Sequence, residues 1–283
     1  MPLSDMHSTQ PGAVSVAAKT IVFSRDADGS LVERVCHIPV EVPVAILYGN
    51  QPYAVMMQTP ADLEDFAYGF SISEGIIERA DDIRTIDITS DDEGIHVSIT
   101  LQPDRFKHHL ARQRSLAGRT SCGMCGITHL EDVRRAIDPS TQVQPPLEIA
   151  ALQKALGQID QHQTLNQETR AVHGAAWFTS AGDFVALRED VGRHNALDKL
   201  IGALVRSQTH TENGFLIITS RCSFEMVEKA AAAGMRTIVA ISAPTSLALE
   251  RATHLGITLI AIARSDSALL FTPGALNKGT LTR

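Results

Sequence analysis

The sharpest chemical feature of this 283-residue chain is a pair of cysteines three positions apart, in Ser121-Cys-Gly-Met-Cys-Gly126. A thiolate is a nucleophile and a carrier of sulfur, and neighbouring cations lower the pKa of a thiol. Arg105, Lys107, Arg112, Arg114 and Arg119 precede Cys122, against a single acid, Asp104. They favour ionised Cys122 wherever the fold brings them close, although the same run also reads as a solvated helix face. Gly123 and Gly126 give the segment a turn that a partner's active site could enter. Two other readings stay open: a pair of buried thiols, or one half of a zinc site. Zinc takes four ligands, and Cys36 and Cys222 are too distant in sequence to make an all-thiolate site plausible. His129, four residues after Cys125, keeps a third ligand available.

A second cluster is Arg188-Glu-Asp-Val-Gly-Arg-His-Asn-Ala-Leu-Asp198. The pattern predicts a helix from Val191 with Asp190 as its N-cap. Leu197, Leu200, Ile201 and Leu204 form its inner stripe, and Arg193 falls on that stripe. A cation in the first turn opposes the helix dipole, and on the core side it also needs a partner. Two local rules broken at one residue mark a candidate functional position; the alternative is a buried ion pair to Glu189 or Asp190. His194 and Asp198 stand at i and i+4, so the carboxylate could orient the imidazole.

Further candidates are the loops Ser220-Arg-Cys-Ser223 and Ser242-Ala-Pro-Thr-Ser246, each opening a helix. Backbone N–H groups at a helix N-terminus, with hydroxyls such as those of Ser242 and Thr245, can bind phosphate. Ordinary N-caps look the same. There is no Gly-x-Gly-x-x-Gly and no P-loop.

The elements that must hold these residues are legible in part. Residues 1–18 read as a flexible tail. Ile21–Phe23 and Leu31–Val35 read as strands about a turn at Asp28-Gly29. Val42–Tyr48 and Tyr53–Gln58 flank Gly49-Asn50, a hairpin signal. Thr59-Pro60 predicts a helix start with Thr59 as N-cap; Leu63, Phe66, Ala67 and Phe70 are its buried stripe and Gly75 its end. Ile95–Leu101 alternates as a strand after a turn at Asp91–Gly94. Residues 19–137 are therefore expected to form a smaller α+β domain carrying the cysteine loop. Residues 138–148, with three prolines, form the expected linker. Beyond it, a helix with Ile149, Leu152, Leu156 and Ile159 on one face and a hairpin at Ala181-Gly182 precede a regular alternation. Strands Phe215–Thr219, Thr237–Ile241 and Thr258–Ala263 alternate with helices Phe224–Ala233 and Ser246–Leu255. That alternation predicts an α/β domain over 149–283 with a mainly parallel sheet and its ligand at the carboxyl ends of the strands.

Composition narrows the class. A 44% hydrophobic fraction with 20% charged residues argues for a packed core rather than disorder. With 32 acids against 25 bases, the net charge of −7 makes a general nucleic-acid binder a poor expectation. Four cysteines do not make a secreted disulfide framework. No signal peptide or membrane span is read, so a cytoplasmic location is expected.

The chain resembles the formate dehydrogenase accessory sulfurtransferase family, FdhD, over nearly its whole length. The residues carrying the resemblance are Thr59-Pro-Ala-Asp-Leu-Glu64, Glu74-Gly-Ile-Ile77, Ser121–Gly126, Arg188–Asp198, Ser223-Phe-Glu-Met-Val227 and Ser242-Ala-Pro-Thr-Ser-Leu247. The resemblance implies a sulfur relay. A cysteine desulfurase loads a persulfide onto Cys122, with Cys125 as a helper or resolving thiol. The sulfur then passes to the molybdenum of a bis-molybdopterin guanine dinucleotide cofactor on its way to formate dehydrogenase. The family's cofactor segment, roughly Phe-x-Arg-Gly-x-x, aligns with Ile262-Ala263-Arg264-Ser265-Asp266-Ser267. There Ile262 replaces the aromatic and Ser265 the glycine, and only Arg264 fits cleanly. Arg264, Arg193, His194, Ser242 and Thr245 are the candidates for holding the cofactor's phosphates.

The resemblance also implies a cytidine-deaminase-like second domain and a homodimer. Deaminase chemistry needs a His-x-Glu or Cys-x-Glu and a Pro-Cys-x-x-Cys within that domain. Here His173 is followed by Gly174 and Ala175, and Cys222 is alone. Two rival readings are a dithiol oxidoreductase and a cofactor chaperone that transfers no sulfur. Against the first, no clear strand precedes the cysteine pair.

Overall fold

A computed structural model describes residues 12–22, 32–107, 147–272 and 276–277. Cys122, Cys125, Arg112, Arg114, Arg119 and His129 lie outside the described residues. So do the turn at Asp28-Gly29, most of the expected tail and residues 138–146.

The chain begins with an antiparallel pair, β1 (Ser15–Val22) and β2 (Val32–Pro39). β1 therefore starts inside the segment expected to be tail. A four-stranded sheet follows in the order β4-β3-β6-β5, from β3 (Val42–Tyr48), β4 (Gln51–Gln58), β5 (Ile83–Ser90) and β6 (Ile95–Leu101). Gly49 and Asn50 both take positive φ, 56° and 66°, as a tight two-residue hairpin turn requires. Val44, Ile46, Tyr48, Val97 and Ile99 alternate onto one buried face of this sheet, and α1 (Leu63–Ser73) packs there.

α1 starts later than the Thr59-Pro60 signal implies. Its N-cap is Asp62, at φ 53°. Thr59 cannot cap because its polar groups are already committed: its N–H donates to Asp190, its hydroxyl accepts from Val191 N–H, and its carbonyl accepts from Lys199. Leu63, Phe66, Ala67 and Phe70 are buried as the periodicity requires, and Gly75, at φ 67°, follows the helix end.

The second half is built on a six-stranded sheet in the order β13-β12-β11-β10-β8-β9. It comprises β8 (His173–Thr179), β9 (Phe184–Asp190), β10 (Gly214–Ile218), β11 (Thr237–Ala240), β12 (Thr258–Ala261) and β13 (Leu269–Leu270). The βα alternation gives parallel pairing across β10, β11 and β12. The hairpin β8–β9 and the edge strand β13 join antiparallel, so the sheet is mixed rather than mainly parallel. The short β7 (Leu147–Glu148), at the end of the expected linker, pairs in parallel with β14 (Leu276–Asn277).

Helices cover both faces of this sheet, which is why β10 is apolar and buried at every position, Gly214–Ile218. On one face lies α2 (Ile149–His162), whose Leu152, Leu156 and Ile159 pack on Phe178, Phe215 and Ile217. The short α3 (Thr164–Thr169) follows it. On the other face lie α4 (Arg193–Arg206), α5 (Phe224–Ala232) and α6 (Ser246–His254). α4 is sandwiched: Leu197, Leu200, Ile201 and Leu204 join Trp177 and Leu216 below and Phe66 and Ile46 above in one continuous core. Among the described residues, no helix is long and apolar enough to cross a membrane.

Candidate functional site

Strand direction decides which loops can share a ligand. β10, β11 and β12 run together; β8 opposes β10, and β9 opposes β8. β9 therefore points the same way as the parallel strands. The loops after β9, β10, β11 and β12 all leave from one edge of the sheet, where His173 enters β8. This is the carboxyl edge at which such sheets bind ligands.

The loops are stitched to each other along that edge. Cys222 N–H donates to Ala243 O at 3.3 Å, and Thr245 N–H donates to Cys222 O at 3.0 Å. Ile262 N–H reaches Ser242 O at 3.2 Å. The Thr245 hydroxyl caps α6, accepting from Ala248 N–H at 3.2 Å. Ser223 stands at the N-cap of α5 without a side-chain cap bond, and its buried hydroxyl has no partner among the described residues.

The segment Ile262-Ala263-Arg264-Ser265-Asp266-Ser267 folds into a tight turn on the same edge. Ile262 has φ 52°, a left-handed conformation rarely adopted by a β-branched residue, yet its side chain is exposed. Ala263 is buried, with its N–H on Ala240 O. Arg264 Nη1 donates to Ile241 O at 2.6 Å and Ala263 O at 2.8 Å, tying the β11 and β12 loops together. Its backbone N–H takes Ser267 O at 2.7 Å, while Ser265 and Asp266 are exposed.

At the other end of the edge stands the opening turn of α4. Its N-cap is Gly192, not Asp190, which is the last residue of β9. Asp190 is fully buried and pairs with the equally buried Lys199 at 2.6 Å. Its remaining lone pairs accept from Thr59 N, Gly192 N and Asn195 Nδ2 at 2.7–3.0 Å. Burial pulls the Lys199 ammonium down, and the adjacent Asp190 carboxylate opposes that pull.

Neither expected carboxylate serves Arg193. Asp190 is taken, and Glu189 accepts N–H bonds from Leu165 and Asn166, although burial pushes its carboxyl up. Arg193 Nε is buried with no hydrogen-bond partner among the described residues. His194 does not pair with Asp198 either. It lies 2.7 Å from Glu225 in the first turn of α5, and the hydrogen bond from His194 pulls the Glu225 carboxyl down. Asp198, one turn on, is buried and held by Lys229 and Ser73. His173 is half-buried nearby; burial pulls its pKa down, and the charge of Arg193 adds to this.

Sequence reasoning placed Arg193, His194, Ser242, Thr245 and residues 262–267 on this one edge. It missed Glu225, Asn195 and Lys199. Only Glu225 had a local signal, an acid in the first turn of a helix.

The cysteine pair lies outside the described residues, but two of its proposed cations do not. Arg105 is committed to Glu78 at 2.5 Å and Asp82 at 3.2 Å, and Lys107 lies 3.5 Å from Asp104. Their charges are already shared with carboxylates. Cys222 is buried at the β10 end, and burial pushes its thiol up to about 12. Among the described residues, no group of His, Cys, Asp or Glu could hold a metal ion. Three helix N-termini, those of α4, α5 and α6, meet on this edge, and backbone N–H groups at such ends favour anions.

The fold is a mixed α/β one, with the loops after four strands gathered on one edge of its larger sheet. Residues 39–275 match the model of the FdhD/NarQ family. The chain is 42% identical to the sulfur carrier protein FdhD of Xanthomonas axonopodis pv. citri over 96% of its own length and 95% of the relative's. It is 44% identical to that of Cupriavidus necator, over 89% and 87%. A crystal structure described as a formate dehydrogenase accessory protein from Desulfotalea psychrophila superposes with a TM-score of 0.73 at 25% identity, covering 94% of this chain and all of that one. The chain belongs to the FdhD/NarQ family.

Proposed function

We propose that the chain is a cytoplasmic sulfur carrier serving formate dehydrogenase, acting with a cysteine desulfurase and, as its cargo, the bis-molybdopterin guanine dinucleotide cofactor. The observation that carries the reading is full-length similarity to relatives named sulfur carrier proteins, in a chain that holds the Cys122-Gly-Met-Cys125 pair. Cys122 thiolate attacks the terminal sulfur of the desulfurase persulfide. The bond between the two desulfurase sulfurs breaks, the desulfurase thiolate leaves, and a persulfide forms on Cys122. Cys125 is the helper or resolving thiol. The cargo's phosphates rest on the carboxyl edge, against the α4 opening turn with Arg193 and His194 and the loops bearing Ser242, Thr245 and Ile262–Ser267. Arg264 shapes that surface by holding two loop carbonyls. The protein works as a homodimer.

Mass spectrometry after incubation with a cysteine desulfurase and cysteine tests the reading. Gain of one sulfur atom's mass, absent in Cys122→Ala, is expected. Loss of two hydrogens would indicate a dithiol oxidoreductase, and no change would indicate a chaperone. Retention of normal formate dehydrogenase activity with Cys122→Ala would refute the relay.

A further inference from the structure

Thr59 belongs to a segment whose sequence announces a helix start, yet it caps nothing in its own helix. Its three polar groups reach across to the start of α4. Val191 N–H donates to its hydroxyl at 3.2 Å, its own N–H donates to Asp190 Oδ2 at 3.0 Å, and Lys199 Nζ donates to its carbonyl at 2.9 Å. Two residues earlier, Met57 O accepts from Asn195 Nδ2 at 2.9 Å. Thr59, Asp190, Asn195 and Lys199 are each at least 97% buried.

α4 has no side-chain cap of its own. Its regular ladder begins only with Ala196 N–H on Gly192 O. The direction of the preceding turn, and so of Arg193 and His194, is set from outside the helix. The segment after β4 supplies that setting, with Asp190 as the shared acceptor. The strand that ends at Gln58 belongs to the four-stranded sheet. One residue of the first half of the chain thus fixes a binding turn of the second.

We infer that Thr59 is a positioning residue for the carboxyl edge: its hydroxyl, acting on Val191 N–H, holds the α4 opening turn in the orientation that binds the phosphates of a guanine nucleotide. This rests on the cargo reading above, and guanosine diphosphate, the nucleotide portion of that cargo, is the probe.

The variants are Thr59→Val, which keeps shape and removes the acceptor, and Thr59→Ser, which keeps the acceptor. A half-buried N–H left without its partner is costly enough to weaken binding of guanosine diphosphate several-fold, up to about tenfold, in Thr59→Val, with Thr59→Ser within about twofold of the parent. Ser73→Ala is the control. It removes a hydrogen bond to Asp198 in the same α1–α4 contact, one turn further along α4, and it should lower stability while leaving nucleotide affinity unchanged. Hydrogen exchange supplies a readout that needs no ligand: amides 191–195 should exchange faster in Thr59→Val and not in Thr59→Ser, with the remainder of α4 unaffected. Should Thr59→Val fail to fold, Asn195→Ala, which releases Met57 O, should give the same local exchange. Equal nucleotide affinity in Thr59→Val and the parent, or unaltered exchange at 191–195, overturns the inference. Failure of the parent itself to bind guanosine diphosphate counts against the cargo reading, and the exchange result then decides the role of Thr59 alone.

Discussion

Gly69 and Gly202 face each other where α1 crosses α4, and neither position has room for a methyl group. A Cβ on Gly69 would lie 1.7 Å from Asp198 O, and one on Gly202 would lie 1.7 Å from Asp65 O. The obstacles are backbone atoms, so no rotamer change relieves them. The close crossing lets α1 and α4 share one core between the two sheets. Gly202→Ala is expected to destabilise the protein by about 3 kcal/mol or more, at or beyond the usual cost of overpacking. Urea unfolding measures it; a midpoint within error of the parent would mean that the helices do not cross this closely.

The Cys222 thiol is buried beneath the β10 loop and is pushed up to about 12 by that burial. At pH 8 only about one such thiol in ten thousand is ionised, so it is inert towards thiol reagents. Titration with a chromogenic disulfide should leave Cys222 unmodified until the chain is unfolded, whereas exposed Cys36 reacts in the native state. Peptide mapping after alkylation distinguishes the two. Cys222→Ala should also leave sulfur loading intact, because a buried thiol of this kind cannot take part in the relay.

Much of this architecture is legible in the sequence because it depends on short-range rules. Gly49-Asn50 supplies the two positive φ values of the β3–β4 turn, and the apolar runs of β10 to β12 separated by amphipathic helices give the crossover strands. What escaped depends on contacts far apart in the chain. Thr59-Pro60 has the local form of a helix start, but Asp190, 131 residues away, takes the Thr59 N–H. His194 and Asp198 have ideal spacing within one helix, yet each finds its partner on α5, in Glu225 and Lys229. β5 was missed because it is almost entirely exposed, with polar residues between its isoleucines. Spacing reveals what can meet within one element and is silent about what a neighbouring element offers.

The His194–Glu225 pair should give the stability curve an acid limb. The hydrogen bond from His194 lowers the Glu225 carboxyl below its ordinary value of 4.5, against the opposing effect of burial; Arg193 and Lys229 also face it and act in the same direction. A carboxyl with a depressed folded pKa binds fewer protons folded than unfolded, so its contribution is present above the unfolded pKa and is lost as pH falls through the folded one. Glu225→Gln should lower stability at pH 7 by about 1 kcal/mol or less, since the pair is partly exposed. The gap between variant and parent should then narrow below pH 4.5. Thermal unfolding across that range tests this, and a gap that stays constant or widens in acid contradicts the pairing.

Ile262 holds a left-handed conformation at the carboxyl edge, with its side chain 39% exposed, so strain there is set against the apolar burial of the rest of the side chain. Strain of this kind costs about 1–3 kcal/mol, whereas the extra chain entropy of a glycine costs about 0.5–1 kcal/mol. Loss of the partial burial of an isoleucine, about 1–2 kcal/mol, offsets the relief of strain, so Ile262→Gly should change stability by about 1 kcal/mol or less, well below the usual cost of removing a large apolar side chain. Because Ile262 stands on the edge proposed to hold the cargo, the variant should also bind guanosine diphosphate more weakly than the parent. A loss of about 3 kcal/mol or more would show that Ile262 is not strained, and unchanged affinity would remove Ile262 from the binding surface.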